Sequence, residues 1–223
     1  MSLDSQLELV AARQHWNPHS VLGAHPVDGG VVVRAFRPAA AAVSARPADG
    51  PPVQLELRHP AGLFEGMIDE ADLPLRYELD VSYPDGNVFT LRDPYSFPPT
   101  FGELDLHLAG EGRHEDIYHR LGAHPRQVDG VAGIAFAVWA PSARAVSVVG
   151  DFNSWDGRLH AMRSLGSSGI WEIFLPDVEQ GAAYKFEILT QTGEIRLKAD
   201  PFAFRTEPMP RTDSVVFRSD YEW

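Results

Sequence analysis

Along Ile170-Trp171-Glu172-Ile173-Phe174-Leu175, the residues Trp171, Ile173 and Leu175 alternate with Ile170, Glu172 and Phe174, so that one face is wholly apolar. A period of two with one greasy face predicts a half-buried strand. The pattern recurs along the chain. AFAVWA and AVSVVG flank a Pro-Ser-Ala-Arg turn, and IWEIFL, AAYKFEIL and EIRLKA follow, separated by clusters of Gly, Pro and Asp. Earlier, VVVRAFRPAAAAVSA has the same grammar. Helical spacing is confined to short stretches: Leu3, Leu7 and Val10 near the start, with Trp16 expected to anchor that helix, and Ile117 with Leu121. Many short strands joined by turns predict an all-β fold whose sheets cover one another.

The pentapeptide LGAHP occurs twice, at Leu22 to Pro26 and at Leu121 to Pro125, an offset of 99. Each copy leads into a turn signal and a β-rich run. Pro38 then matches Pro141 and Val43-Ser44 match Val146-Ser147, so the offset has grown to 103 by one four-residue insertion. It becomes 107 further on, where Gly62, Glu65, Tyr77, Asp93, Pro94 and Phe97 fall on Gly169, Glu172, Tyr184, Asp200, Pro201 and Phe204. A register held over that span implies one domain in tandem copies. The reading is two immunoglobulin-like β-sandwich domains, 1–108 and 109–223, with short N-terminal and linker helices. Asn17 and Pro18 supply a helix cap and a first-turn proline, and Gly23 and Gly122 stand where a helix would stop. LGAHP is therefore read as an architectural stop before the first strand.

The 223 residues are 44% hydrophobic and 22% charged, the composition of a globular protein. A net charge of -12 disfavours nucleic acid and anionic membrane surfaces as partners. The absence of cysteine, of any apolar run approaching ~18 residues, and of a basic flank in MSLDSQLELV gives a cytoplasmic expectation. Among nine histidines, His15 and His19 are four apart, but Pro18 interrupts the helix and no carboxylate completes the set, so no metal is expected. Asp151 and Asp156 are read as turn caps rather than glycosidase acids, and DGVAG as a strand-leading turn, so no cofactor is expected either. The residue with chemistry to offer is Trp155, in the polar turn DFNSWDG, because the C–H face of a glucose ring stacks on an aromatic plane. Trp139 and Trp171 lie inside strands and are expected in the core, as is Phe36, the repeat partner of Trp139.

Between Phe136 and Phe204 the chain reads FAVWAPSARAVSVVGDFNSWDGRLHAMR, then SGIWEIFLPDVEQGAAYKFEI, then KADPFAF. This resembles the starch-and-glycogen-binding sandwich that precedes the catalytic barrel of 1,4-alpha-glucan branching enzymes. The first half, with HWNPHSVLGAHP, VRAFRP, DPYSFPPTFGELDLHL and GRHEDIYHRLGAHP, resembles the extra N-terminal sandwich of one bacterial subset of that family. The resemblance implies a cytosolic enzyme that cuts an α-1,4-glucan and reattaches the piece by an α-1,6 bond in glycogen synthesis. It implies glucan contacts at Trp155 and Lys185, with Asn153 of the same loop as a third, and as partners glycogen or maltooligosaccharide and the enzyme's own C-terminal barrel. It carries no catalytic residue onto this chain, because the family's nucleophile and acid belong to the barrel, whose entry is expected at Tyr221-Glu222-Trp223. The chain alone is expected to be inactive. The first copy has no counterpart of the GDFNSW loop; Ala45 to Pro52 offers no aromatic, so that copy is expected to act as a brace without sugar affinity. Two other readings stay open: a purely structural module, and a self-standing regulatory glycogen-binding subunit.

Overall fold

Ser2 precedes the first helix in an extended conformation, and its hydroxyl accepts the Ser5 N–H at 3.3 Å, satisfying a donor that a helix start leaves open. Helix α1 (Leu3–Ala11) buries Leu7 and Val10. Trp16 is exposed, so these two aliphatic residues anchor the helix in its place. The structure, a computed structural model, describes residues 1–218, and Tyr221-Glu222-Trp223 lie outside the described residues. The chain divides into two compact units, Met1–Ser96 and Phe97–Trp223.

In the first unit, β1 (Gly23–Val27), β2 (Gly30–Phe36), β3 (Ala42–Pro47), β4 (Val53–His59), β5 (Leu63–Asp69), β6 (Tyr77–Ser82) and β7 (Val88–Arg92) follow the order β1-β2-β5-β4-β3-β6-β7. β4 belongs to two sheets. Its first residues, Val53 to Leu55, pair with β3, and its later ones, Glu56 to His59, pair with β5. The path therefore folds over into a sandwich, with Val33, Val43, Leu55, Phe64, Leu79 and Val81 buried between the layers. A buried polar link closes it, in which the Tyr77 hydroxyl donates to Asp93 at 2.6 Å. LGAHP is not a stop ahead of the first strand but most of that strand: Gly23 to Pro26 belong to β1 and Gly122 to Pro125 to β8, and in the first unit β1 is entered from one 3₁₀ turn, Pro18 to Ser20, without a side-chain cap from Asn17, with Gly23 at φ +93°. A Cβ at Gly23 would lie 2.6 Å from the Tyr95 carbonyl oxygen, so only glycine fits.

In the second unit, α2 (Glu103–Gly110) precedes β8 (Gly122–Val128), β9 (Val131–Trp139), β10 (Ala143–Gly150), β11 (Arg163–Ser164), β12 (Ile170–Pro176), β13 (Ala183–Thr190), β14 (Ile195–Lys198) and β15 (Ser214–Val215). One sheet runs β10-β13-β14 with β15 also on β13, and the other runs β11-β12-β9-β8. Phe136 of β9 meets Tyr184 of β13 edge to face at 5.1 Å, between the sheets. The expectation of one polar face on β12 fails, because Ile170 to Leu175 are all buried. Phe97 packs on Phe174 at 4.9 Å, and Phe101 joins Leu121, Ala137 and Ile170, so residues ahead of α2 cover the outward face. Glu172, the polar member of that face, accepts hydrogen bonds from the Thr100 N–H (3.1 Å) and hydroxyl (2.7 Å) and pairs with Arg163, which donates to the Phe97 carbonyl at 3.1 Å. This is how a buried carboxylate is tolerated. Trp171 points inward and is 4% exposed, as expected, but Trp139 is 61% exposed. It ends β9 with the outward parity of Ala135 and Ala137, and its indole N–H donates to the Ser168 carbonyl.

The two units repeat each other residue by residue. Gly23 pairs with Arg34 and Gly122 with Ala137; Phe36 pairs with Leu63 and Trp139 with Ile170; Val43 pairs with Val81 and Val146 with Ile188. The change of sheet along β4 is kept as well: Ser44 meets Gln54, and Ser147 meets Ala161 in an isolated bridge just before β11 joins β12. Tyr184 donates to Asp200 as Tyr77 does to Asp93. The first insertion lengthens the β8–β9 hairpin by two residues on each strand relative to β1–β2. Two per strand preserves both the facing of every side chain and the alternation of hydrogen-bonded pairs. The second insertion lies in the loop between β10 and β11, which holds Trp155.

Candidate functional site

The loop after β10 is built from its backbone outward. A Cβ on Gly150 would lie 2.3 Å from the Ala183 carbonyl oxygen and 2.7 Å from the Phe152 ring, so a glycine is required where the chain leaves the sheet. Asp151 to Asn153 make a 3₁₀ turn, after which Ser154 (φ 52°) and Trp155 (φ 61°) both adopt the left-handed conformation. Consecutive non-glycine residues in that region need an over-determined loop. Asn153 supplies it. Its side-chain oxygen accepts the Gly150 N–H at 2.9 Å, and its amide nitrogen reaches the Val148 carbonyl and the His160 ring at 3.0 Å each. The Phe152 ring packs on Phe136 and His160.

Trp155 is thereby held out with 37% of its surface exposed. Its indole N–H donates to Asp151 Oδ1 at 3.3 Å, while Asp151 Oδ2 accepts the Ala183 N–H at 3.0 Å, so one carboxylate ties the ring to the start of β13. Lys185, two residues further along β13, is 18% exposed at its side chain; its ammonium meets Asp213 at 2.7 Å and the Thr212 hydroxyl at 3.0 Å. The Lys185 hydrogen bond holds the Asp213 carboxyl below the ordinary aspartate range. Arg211 pairs with Glu207 at 2.9 Å, and this bond, followed by the nearby Asp213 and Asp151 charges, raises its affinity for its proton.

The three residues expected from the sequence thus occupy different places. Trp155 is displayed, Lys185 stands on the neighbouring strand with two of its three donors engaged, and Asn153 is buried with its amide spent on the loop. Asn153 acts on the site by shaping it. Asp151, set aside above as a turn cap, orients the indole. The segment carrying Arg211, Thr212 and Asp213 was not anticipated, since an isolated charge in a loop carries no periodicity.

The residues of both units match known families. Residues 3–95 match the model described as alpha-1,4-glucan branching enzyme GlgB, N-terminal domain, and residues 120–203 match carbohydrate-binding module 48 (isoamylase N-terminal domain). Across nearly its whole length the chain is 56% identical to the 1,4-alpha-glucan branching enzyme GlgB of Myxococcus xanthus, covering 99% of this chain and 30% of that protein. The chain belongs to the GlgB branching-enzyme family, as its N-terminal portion. GlgB 1 of Streptomyces coelicolor is 52% identical over 97% of this chain and 27% of its own length. The chain therefore spans less than a third of these GlgB relatives. A type I pullulanase structure from Bacillus subtilis overlays 90% of this chain and 27% of its own, with 18% identity and a TM-score of 0.38, too low to carry any conclusion. Within the GlgB portion, the module 48 match contains Trp155, Asn153 and Lys185 and stops before Arg211 to Asp213. Residues 96–119, with Phe97, Phe101 and α2, fall between the two matches.

Proposed function

We propose that the second unit gives a branching enzyme a weak contact surface for α-glucan, with Trp155 as the stacking platform, and that the first unit braces it without sugar affinity of its own. The parent reaction would transfer α-1,4-glucan segments to α-1,6 branch points in glycogen synthesis, in the cytoplasm, with bond chemistry left to a catalytic barrel. The observation that supports this reading is the Trp155 indole, presented from a loop whose two left-handed residues are fixed by a buried asparagine.

Energetics define how such a surface works. Covering the exposed 37% of a ring that carries roughly 200–250 Å² stabilises by about 2 kcal/mol at ~25 cal/mol per Å². A millimolar complex needs about 4.1 kcal/mol. One ring thus retains a single short oligosaccharide poorly, and glycogen is held through its many equivalent chain ends. Lys185 adds at most the donor that Asp213 and Thr212 leave over.

Affinity electrophoresis through glycogen-containing gel tests the proposal. Retardation of the unsubstituted chain, abolished by Trp155→Ala, is the expected result. Equal, unretarded mobility of both removes the sugar-binding claim and leaves a scaffolding role.

A further inference from the structure

The corner where β9 passes into β10 is open in the second unit and closed at the matching place in the first. Phe36, at the end of β2, is 4% exposed, and Arg37 and Pro38 are buried with it. Trp139 holds the same position at the end of β9 and is 61% exposed, with Pro141 exposed beside it. The frame beneath is unchanged: Phe36 pairs with Leu63 as Trp139 does with Ile170, and the next N–H donates to the carbonyl of Gly62 or Gly169 at 2.8 Å in both. The second copy thus carries a larger ring and leaves it uncovered.

The indole is held rather than loose. Its N–H donates to the Ser168 carbonyl at 3.2 Å, and Gly169 (φ +73°) lets the turn close in, since a Cβ there would lie 2.7 Å from Pro141 Cβ and 3.1 Å from the indole nitrogen. A ring fixed in advance loses little freedom on meeting a ligand. The turns around it have changed from apolar to hydroxylic. Ser142, Arg144, Ser167 and Ser168 stand where the offsets of 103 and 107 place Ala39, Ala41, Pro60 and Ala61. Ser168 spends its hydroxyl on the Leu165 carbonyl at 2.8 Å, while Ser142, Arg144 and Ser167 are exposed. Serine is depleted in protein interfaces. An open ring with hydroxyls at its rim suits a sugar, whose C–H face stacks and whose hydroxyls take hydrogen bonds.

We infer that Trp139, with the Ser142 and Ser167 hydroxyls at its rim, is a second α-glucan contact, at the opposite end of β10 from Trp155. The inference rests on the glucan reading of the Trp155 loop and deepens it. The 8 residues of β10 separate the two places by roughly 25 Å at ~3.3 Å per residue. A trisaccharide therefore meets one ring or the other, whereas glycogen offers chain ends to both. Two weak contacts on one polymer act as a single stronger one, and loss of either leaves only the weak contact.

The test is a titration of maltotriose into the full, isotopically labelled chain, followed by the indole N–H resonances. Trp139 is expected to shift saturably, both in the unsubstituted chain and in Trp155→Ala. Trp16, 54% exposed in the unit assigned no sugar affinity, should stay in place. Replacing Ser142 and Ser167 together by alanine should weaken the Trp139 response about fivefold. In glycogen-containing gel, Trp139→Ala should weaken retention about tenfold or more. The resonance shifts are read in the unsubstituted chain and do not depend on any variant's folding. A Trp155 response with Trp139 unmoved overturns the second contact and leaves the first standing. A Trp139 response with Trp155 unmoved keeps the second contact and removes the Trp155 reading. Equal, unsaturating drift of Trp139 and Trp16 marks adventitious contact of sugar with indole and overturns the inference, as does silence from every indole.

Discussion

Asn153 shows how a residue can belong to a binding loop without touching what is bound. Its amide satisfies the Gly150 N–H and the Val148 carbonyl, so Asn153→Ala leaves buried polar groups unpaired and is expected to cost ~1–3 kcal/mol in urea unfolding. The same variant should lose glycogen retardation, because the left-handed turn that displays Trp155 loses its support. The sequence revealed the indole through the polar residues around it. It did not reveal the role of Asn153, since an asparagine in a turn is as often a solvated cap as a buried brace. Trp139 misleads for a related reason: membership of an apolar strand does not say on which side of the sheet the last residue falls. The repeated histidines yield a pH prediction. Burial, the dominant cause, lowers the affinity of His25 and His124 for a proton, while their rings bond to the Leu22 and Leu121 carbonyls. An unfolded histidine with an ordinary value of 6.5 binds the proton more readily than the folded one, so their stabilisation is full above that pH and lost as pH falls through the lowered folded values. Asp93 and Asp200, raised chiefly by burial, act with the opposite slope from the ordinary 3.8 upward. Between pH ~7.5 and ~5 the thermal midpoint of the unsubstituted chain should therefore fall relative to that of a chain with His25→Gln and His124→Gln, which keeps the aspartates and loses the histidine contribution.

At the scale of elements, the period-two runs and turn residues made the strands after each LGAHP legible, and the drifting offset located both insertions; β1 and β8 themselves were hidden, because a glycine and a proline inside LGAHP read as a stop rather than as edge strands. What periodicity did not expose is which sheet face lies covered. Glu172 in the middle of β12 looks like a solvent-facing residue, yet Phe97, Phe101 and Thr100 close over it from a segment that contains no strand or long helix of its own. The second unit therefore depends on residues ahead of α2. A fragment of residues 109–218 loses both phenylalanines, each worth ~3–5 kcal/mol by analogy with truncation to alanine, and uncovers the Arg163–Glu172 pair. Its denaturant midpoint should fall well below that of residues 97–218, or it should fail to give a cooperative transition. Equal midpoints would mean that the cover contributes nothing.

Taken as a whole chain, the protein is two versions of one ladder set joined in sequence. Among the described residues no helix is long and apolar enough to cross a membrane. The interval between the two copies is short enough for either to encounter the other's strands while both are unfolded. Matching pair registers make those strands interchangeable as templates: β2 meets β5 in the same alignment in which β9 meets β12. Tandem copies with interchangeable strands are prone to hybrid sandwiches during refolding. The ladder arginine sits on different strands in the two copies, Arg34 of β2 beside Glu65 and Arg163 of β11 beside Glu172, and this bears on the hazard. A hybrid that lays β9 in the place of β2 sets Ala137 and Glu56 about Glu65 without Arg34, and one that lays β2 in the place of β9 sets both Arg34 and Arg163 about Glu172. Dilution from urea should thus give the tandem chain a slow fraction, independent of protein concentration, that residues 1–96 and 97–218, refolded apart, do not show. Exchanging the charges so that both copies carry arginine in the Arg163 position should enlarge that fraction, because divergence between duplicated halves acts as proofreading for chain assembly.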